Sequence, residues 1–77
     1  MNDNFETFRE QLGKRIAHLR KEKGLTQEKL AELCNIDISY VGQIERGLKT
    51  PSLKVLFKIS NALSLKLEEL LSWEEKK

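Results

Sequence analysis

Cysteine, proline, tryptophan and histidine each occur once in this 77-residue chain, and aromatic residues make up only 6% of it. Each shortage removes a class of protein. A lone thiol, Cys34, has no internal partner, so the chain is not a disulfide-stapled scaffold and reads as cytosolic. A lone histidine, His18, has no Cys or His at ligand spacing and offers neither a zinc site nor a catalytic pair. Asp and Glu are scattered, and no glycine loop of the phosphate-cradling kind occurs. No apolar run is long enough to cross a bilayer, and the polar, acidic opening MNDNFETF is unlike a signal peptide. The scarcity of aromatics leaves no stacking platform for RNA. These absences predict a non-enzymatic protein with no metal, no cofactor and no evident small-molecule ligand.

Charge is abundant, and its placement says more than its sum. The net charge is only +2, but residues 11–66 hold eleven Lys/Arg against five Asp/Glu, while the two ends hold three against seven. The basic middle supplies the field a phosphate backbone attracts, although a solvated helical surface would look similar. A chain this short buries only about 60–65% of its unfolded surface, so one domain over 1–77 is expected, with dimerisation as added support.

Apolar spacing predicts helices throughout. Phe5, Phe8, Leu12, Ile16 and Leu19 form one stripe over about Asn4 to Lys23, with Gly24 as a left-handed cap. Thr26 is an N-cap followed by an incomplete capping box, since Lys29 stands where Glu or Gln would reach back. Asn35 takes a left-handed turn, Asp37 caps the next helix and Gly47 ends it. Gly42 lies mid-helix, which close approach of a neighbouring helix would explain. Thr50-Pro51 reads as the start of a fourth helix, with Leu53, Leu56, Ile59, Ser60 and Leu63 facing the core. A fifth spans about Leu67 to Ser72 with a poor cap at Lys66, and 74–77 is expected to be a flexible tail.

The stretch from Thr26 to Gly47 is the most informative. It reads as two short helices joined by a tight turn, with Leu30, Ala31, Cys34, Ile36, Val41 and Ile44 where crossing helices touch and Ser39, Tyr40 and Gln43 outward. That is a helix-turn-helix, a unit that places its second helix in the DNA major groove. The order Thr-Gln-Glu-x-Leu-Ala at 26–31, Ile-Glu-Arg-Gly at 44–47 and Pro-Ser-Leu at 51–53 resembles the lambda-repressor/Cro-like (XRE-type) helix-turn-helix family, over about Leu12 to Leu71. The resemblance implies an all-α, compact five-helix DNA-binding domain acting as a transcriptional regulator of prokaryotic or phage origin. The run Asp-Ile-Ser-Tyr-Val-Gly is similar to the controller proteins of restriction–modification systems, although the core pattern fits phage-type repressors equally.

By the same resemblance, Ile38, Ser39, Tyr40 and Gln43 face base edges. Gln43 is able to pair with adenine through its amide, and Ser39 with several bases. Ile38 packs on a thymine methyl or is simply a half-exposed isoleucine; Tyr40 reaches a phosphate or lies against the preceding helix. Gln27, Lys29, Arg46, Lys49 and Thr50 are the candidate DNA-backbone contacts, with Lys29 and Lys49 equally readable as free surface lysines. Gln27 is expected to bridge a phosphate and the recognition helix. Arg20 and Glu45 are expected to form a structural ion pair locking the first helix to the third. Cys34 reads as a small buried hydrophobe.

One recognition helix reads too few base pairs for a unique address, so a homodimer on an inverted repeat of double-stranded DNA is expected. Phe57, Leu65, Leu67, Leu70, Leu71 and Trp73 are the candidate dimer interface at the 64–73 end, more apolar surface than one short helix hides. Alternatively, Leu67 and Leu70 fill the monomer core and Trp73 covers it. The competing function is a protein-binding module such as the antitoxin of a toxin–antitoxin pair, disfavoured by the lack of a long polar arm.

Overall fold

Helix endings organise this chain. The computed structural model describes residues 4–73, and these form α1 (Phe5–Glu22), α2 (Gln27–Cys34), α3 (Ile38–Glu45), α4 (Leu53–Ala62) and α5 (Leu67–Leu70). The first four end alike. Gly24 (φ 76°), Asn35 (φ 55°), Gly47 (φ 75°) and Ser64 (φ 60°) all take a left-handed backbone. Their N–H groups donate to the carbonyls of Lys21, Glu32, Ile44 and Asn61, and the next residues, Leu25, Ile36, Leu48 and Leu65, donate to Arg20, Ala31, Gln43 and Ser60. This pair of bonds occupies carbonyls that a helix end otherwise leaves unpaired. Glycine meets the left-handed requirement without a Cβ penalty, and Asn is the next best residue. Ser64 carries no such sequence signal; its turn sends Leu65 back against the core.

The helix starts follow the expected caps in part. Asn4 Oδ1 accepts from the Glu6 and Thr7 N–H groups, and Thr26 Oγ1 accepts from Lys29 N–H at 2.9 Å. Asp37 sits at the N-cap of α3, but its side chain makes no capping bond. The expected start of α4 at Thr50-Pro51 is corrected. Ser52 is the cap, accepting from Val55 N–H at 3.1 Å, and Pro51 lies buried just outside the helix. Ser52 offers its own hydroxyl at the right distance from the third helical N–H. Leu53 consequently points out, 69% exposed, rather than into the core. Lys66 begins α5 without an oxygen to cap it, yet Glu69 reaches back to its N–H at 2.9 Å, and α5 stops at Leu70 rather than Ser72.

One core serves all five helices: Leu12 and Ile16 of α1, Leu30, Ala31 and Cys34 of α2, Val41 and Ile44 of α3, Ile59 of α4 with Leu63, and Leu70 of α5. Each fully buried Leu or Ile contributes roughly 1.5–3 kcal/mol of transfer free energy. α3 packs on both α1 and α2, and α4 on α2 and α5. The apolar stripe of α1 is narrower than its spacing predicts. Phe5 and Phe8 lie beyond the core and stay exposed. They form a surface aromatic chain instead, Phe5 on Phe8 at 6.0 Å and Phe8 stacked on Trp73 at 5.4 Å. The expected flexible tail, 74–77, lies outside the described residues.

Candidate nucleic-acid interface

α3 is amphipathic across its short length. Val41, Gly42 and Ile44 are buried, which fixes the roll of the helix and turns Ile38 (46% exposed) and Ser39 outward at its N-terminal end. Tyr40 and Gln43 are half-buried, and Tyr40 packs against the core. The structure therefore brings all four candidate base-contacting residues onto α3, two of them open and two partly covered. Of the candidate backbone contacts, Lys29, Arg46, Lys49 and Thr50 are exposed and Gln27 is half-buried. Lys29 lies 3.3 Å from Glu32 in a surface pair, which is worth little because water screens it.

A buried polar knot holds α3 in place. Arg20, only 7% exposed, donates from Nε to Glu45 Oε2 at 2.7 Å and from Nη2 to Oε1 at 3.1 Å, while its Nη1 donates to the Leu25 carbonyl at 2.7 Å. Gln27 Nε2 donates to the same Glu45 Oε1 at 2.8 Å. One carboxylate at the end of α3 thus gathers side chains from α1 and from the first turn of α2. The planar guanidinium matches the carboxylate bidentately, and the extra partners satisfy what burial would otherwise leave unpaired. Gln27 is oriented by this knot, so its amide has a fixed direction beside α3 before any ligand arrives.

Two residues that sequence reasoning passed over complete the support. Arg9 Nε donates to the Gly47 carbonyl at 2.8 Å, fastening the C-terminal turn of α3 to α1. Gly13 is buried where α1 crosses α3: a Cβ there would run into Ile44 O and stand 2.6 Å from Glu45 O. A glycine inside a helix costs about 1 kcal/mol against alanine, so Gly13 between Leu12 and Ile16 was itself a legible signal. Close approach of a neighbouring helix was expected at Gly42. It occurs at Gly13 instead, and the atoms nearest to a Cβ built on Gly42 are the side-chain ends of Arg46 and Gln27.

The C-terminal end requires a correction. Leu70 is 0% exposed and belongs to the monomer core, so it presents nothing to a partner. Arg15 fixes it there, its Nε and Nη2 donating to the Leu70 and Glu69 carbonyls at 3.3 and 2.8 Å. Leu65 and Leu67 are half-buried against the core, and Trp73 stacks on Phe8 and donates Nε1 to Gln11 Oε1 at 3.3 Å. Phe57 (54%) and Leu71 (36%) stay exposed.

Among the described residues no group of three or more His, Cys, Asp or Glu is arranged to hold a metal, and no helix is long and apolar enough to cross a membrane. His18 pairs with Glu22 at 3.1 Å on the surface. Cys34 is buried, and burial pushes its thiol above the ordinary range, with Lys58 opposing in part.

Comparison with known proteins agrees with this geometry. Residues 16–70 match the family described as Helix-turn-helix. The immunity repressor protein of Bacillus phage phi105 is 40% identical over 63 residues, which are 82% of this chain and 44% of the repressor, so the chain spans less than half of that relative. The crystal structure of the restriction–modification controller protein C.AhdI from Aeromonas hydrophila superposes with a TM-score of 0.77 at 44% identity, covering 79% of this chain and 92% of that one. The structure of SinR, described as the master regulator for biofilm formation and solved in complex with DNA, superposes with a TM-score of 0.74 at 40% identity, covering 79% and 98%. A five-helix domain with this α2–turn–α3 unit and these relatives belongs to the XRE-type helix-turn-helix family of DNA-binding transcriptional regulators.

Proposed function

We propose that the protein is a homodimeric, sequence-specific regulator that sets α3 of each subunit into the major groove of an inverted-repeat operator. The observation that carries this reading is the fixed presentation of α3. Its C-terminal end is anchored by the Arg20–Glu45–Gln27 knot, its N-terminal residues Ile38 and Ser39 are exposed, and Lys29, Arg46 and Lys49 of the same helix-turn-helix segment and the loop after it are exposed cations. Ile38, Ser39, Tyr40 and Gln43 read bases, the half-covered pair after a side-chain rotation toward the groove. Gln27, Lys29, Arg46, Lys49 and Thr50 follow the phosphates, which position the domain without specifying sequence. Regulation is by occupancy: a dimer over a promoter blocks or assists polymerase.

Dimerisation supplies the second half-site, about 34 Å away on the same face of the duplex. Exposed Phe57 and Leu71, with half-buried Leu65, Leu67 and Trp73, support a symmetric patch at the α4–α5 end, and Leu70 is excluded from it by burial. The cytoplasm is the proposed site of action.

The test is selection of binding sites from a random duplex pool at ~150 mM salt, which suppresses purely electrostatic binding. An inverted repeat with half-sites about one helical turn apart is the expected product. Failure to enrich any sequence would overturn the reading and redirect the search to a protein partner.

A further inference from the structure

Gly42 is an unusual choice for the middle of a recognition helix. It is buried, its backbone is ordinary right-handed helix, and alanine there would favour the helix by about 1 kcal/mol. Neither a left-handed turn nor a pressing backbone requires glycine. Its Cβ position instead lies 3.3 Å from Arg46 Nη1 and 4.0 Å from both Gln27 Nε2 and Oε1. The missing side chain leaves a notch into which two polar groups converge, the amide of Gln27 from α2 and the guanidinium of Arg46, the C-cap residue of α3.

The two groups are held differently. Gln27 spends one amide hydrogen on Glu45 Oε1 at 2.8 Å, which locks its direction and leaves the second hydrogen to donate. Arg46 is exposed as a residue, yet its Nη1 lies back over Gly42. A fixed neutral donor and a cation that approach one point, at 4.0 and 3.3 Å, suit a shared anionic oxygen.

We propose that Gly42 is a positioning residue for phosphate recognition, keeping this notch open so that Gln27 and Arg46 take the same backbone phosphate of bound DNA. This rests on the DNA-binding reading above and adds to it a residue that touches no DNA itself. A methyl at position 42 meets only the end of a flexible side chain. The fold tolerates it, and Arg46 swings away from Gln27.

The experiment is Gly42→Ala in the full chain, measured on the duplex recovered by site selection across a salt series, with thermal unfolding alongside. One phosphate contact contributes a salt slope of about −0.9, which is a factor of about five in affinity at ~0.15 M salt. The expected result is an unchanged or raised melting temperature, affinity reduced about fivefold per bound subunit, and a salt slope shallower by about one per subunit. Arg46→Ala should then cost little further in the Gly42→Ala background. Undiminished affinity with an unchanged slope would overturn the proposal while leaving the DNA-binding reading intact. Failure of the parent chain to bind any duplex would overturn both. Should Gly42→Ala unfold, Gln27→Ala and Arg46→Ala in the parent decide the matter: losses that do not add uphold a shared phosphate, and fully additive losses overturn it.

Discussion

Arg20→Ala is the sharpest perturbation available, because the buried pair both stabilises the domain and aims α3. Truncation removes two bonds to Glu45 and one to the Leu25 carbonyl, at 2.7, 3.1 and 2.7 Å. The side chains of the pair are 9% and 6% exposed, so water cannot take over. Breaking one side of such a pair costs about 3–5 kcal/mol, most of it from the carboxylate left behind. Gln27 still donates to Glu45, which argues for the lower end, about 3 kcal/mol. A 77-residue domain has only about 4–12 kcal/mol in total, so the variant should be marginally folded. At about 4–8 °C per kcal/mol, the melting temperature should drop by roughly 12–24 °C. Urea unfolding followed by far-ultraviolet circular dichroism measures the loss directly. Replacing both partners by apolar residues, Arg20→Met with Glu45→Leu, should recover much of the stability without restoring the position of Gln27. A loss below about 1 kcal/mol for Arg20→Ala would refute the reasoning, since a pair that cheap is not buried and hydrogen-bonded in solution. Loss of operator binding with stability intact would sink the structural role from the other side.

Other consequences follow from the same geometry. Gly13→Ala should destabilise by about 2 kcal/mol or more in thermal unfolding, despite its better helix propensity, because its Cβ meets carbonyls of α3 that cannot swing away. Ser52→Ala should cost about 1 kcal/mol through the lost cap of α4, whereas Thr50→Ala should leave stability unchanged, as denaturant titration of the two would show. The buried thiol of Cys34 should resist alkylation in the native state, reacting at a rate set by unfolding rather than by reagent. Because burial raises its folded pKa, Cys34 stabilises the fold fully below the ordinary thiol range, and stability should fall as pH rises above ~8.5, by at most about 1.4 kcal/mol per pH unit, an effect absent in Cys34→Ala. Phe57→Glu should shift sedimentation equilibrium toward monomer and weaken cooperative operator binding while leaving the fold intact, since Phe57 is exposed in the monomer.

The sequence by itself determined the elements and their order. Apolar spacing, the caps at Thr26, Gly24, Asn35 and Gly47, and the ordered residues from Thr26 to Leu53 are local signals, and local physics decides helix boundaries to within a turn. It failed where two local solutions competed. Thr50-Pro51 and Ser52 both offer a helix start, and the structure takes Ser52, with Pro51 buried just outside the helix. Amphipathic spacing likewise assigned Phe5, Phe8 and Leu53 to the core, because periodicity gives the face of a helix but not how far along it the neighbours reach. The tertiary structure alone decided that Leu70 is core, that Arg9 fastens the end of α3, and that Gly13 rather than Gly42 is where helices meet. Each depends on residues about 30 or more positions apart being brought within a few ångströms, and that is set by the crossing of packed helices rather than by any stretch of chain.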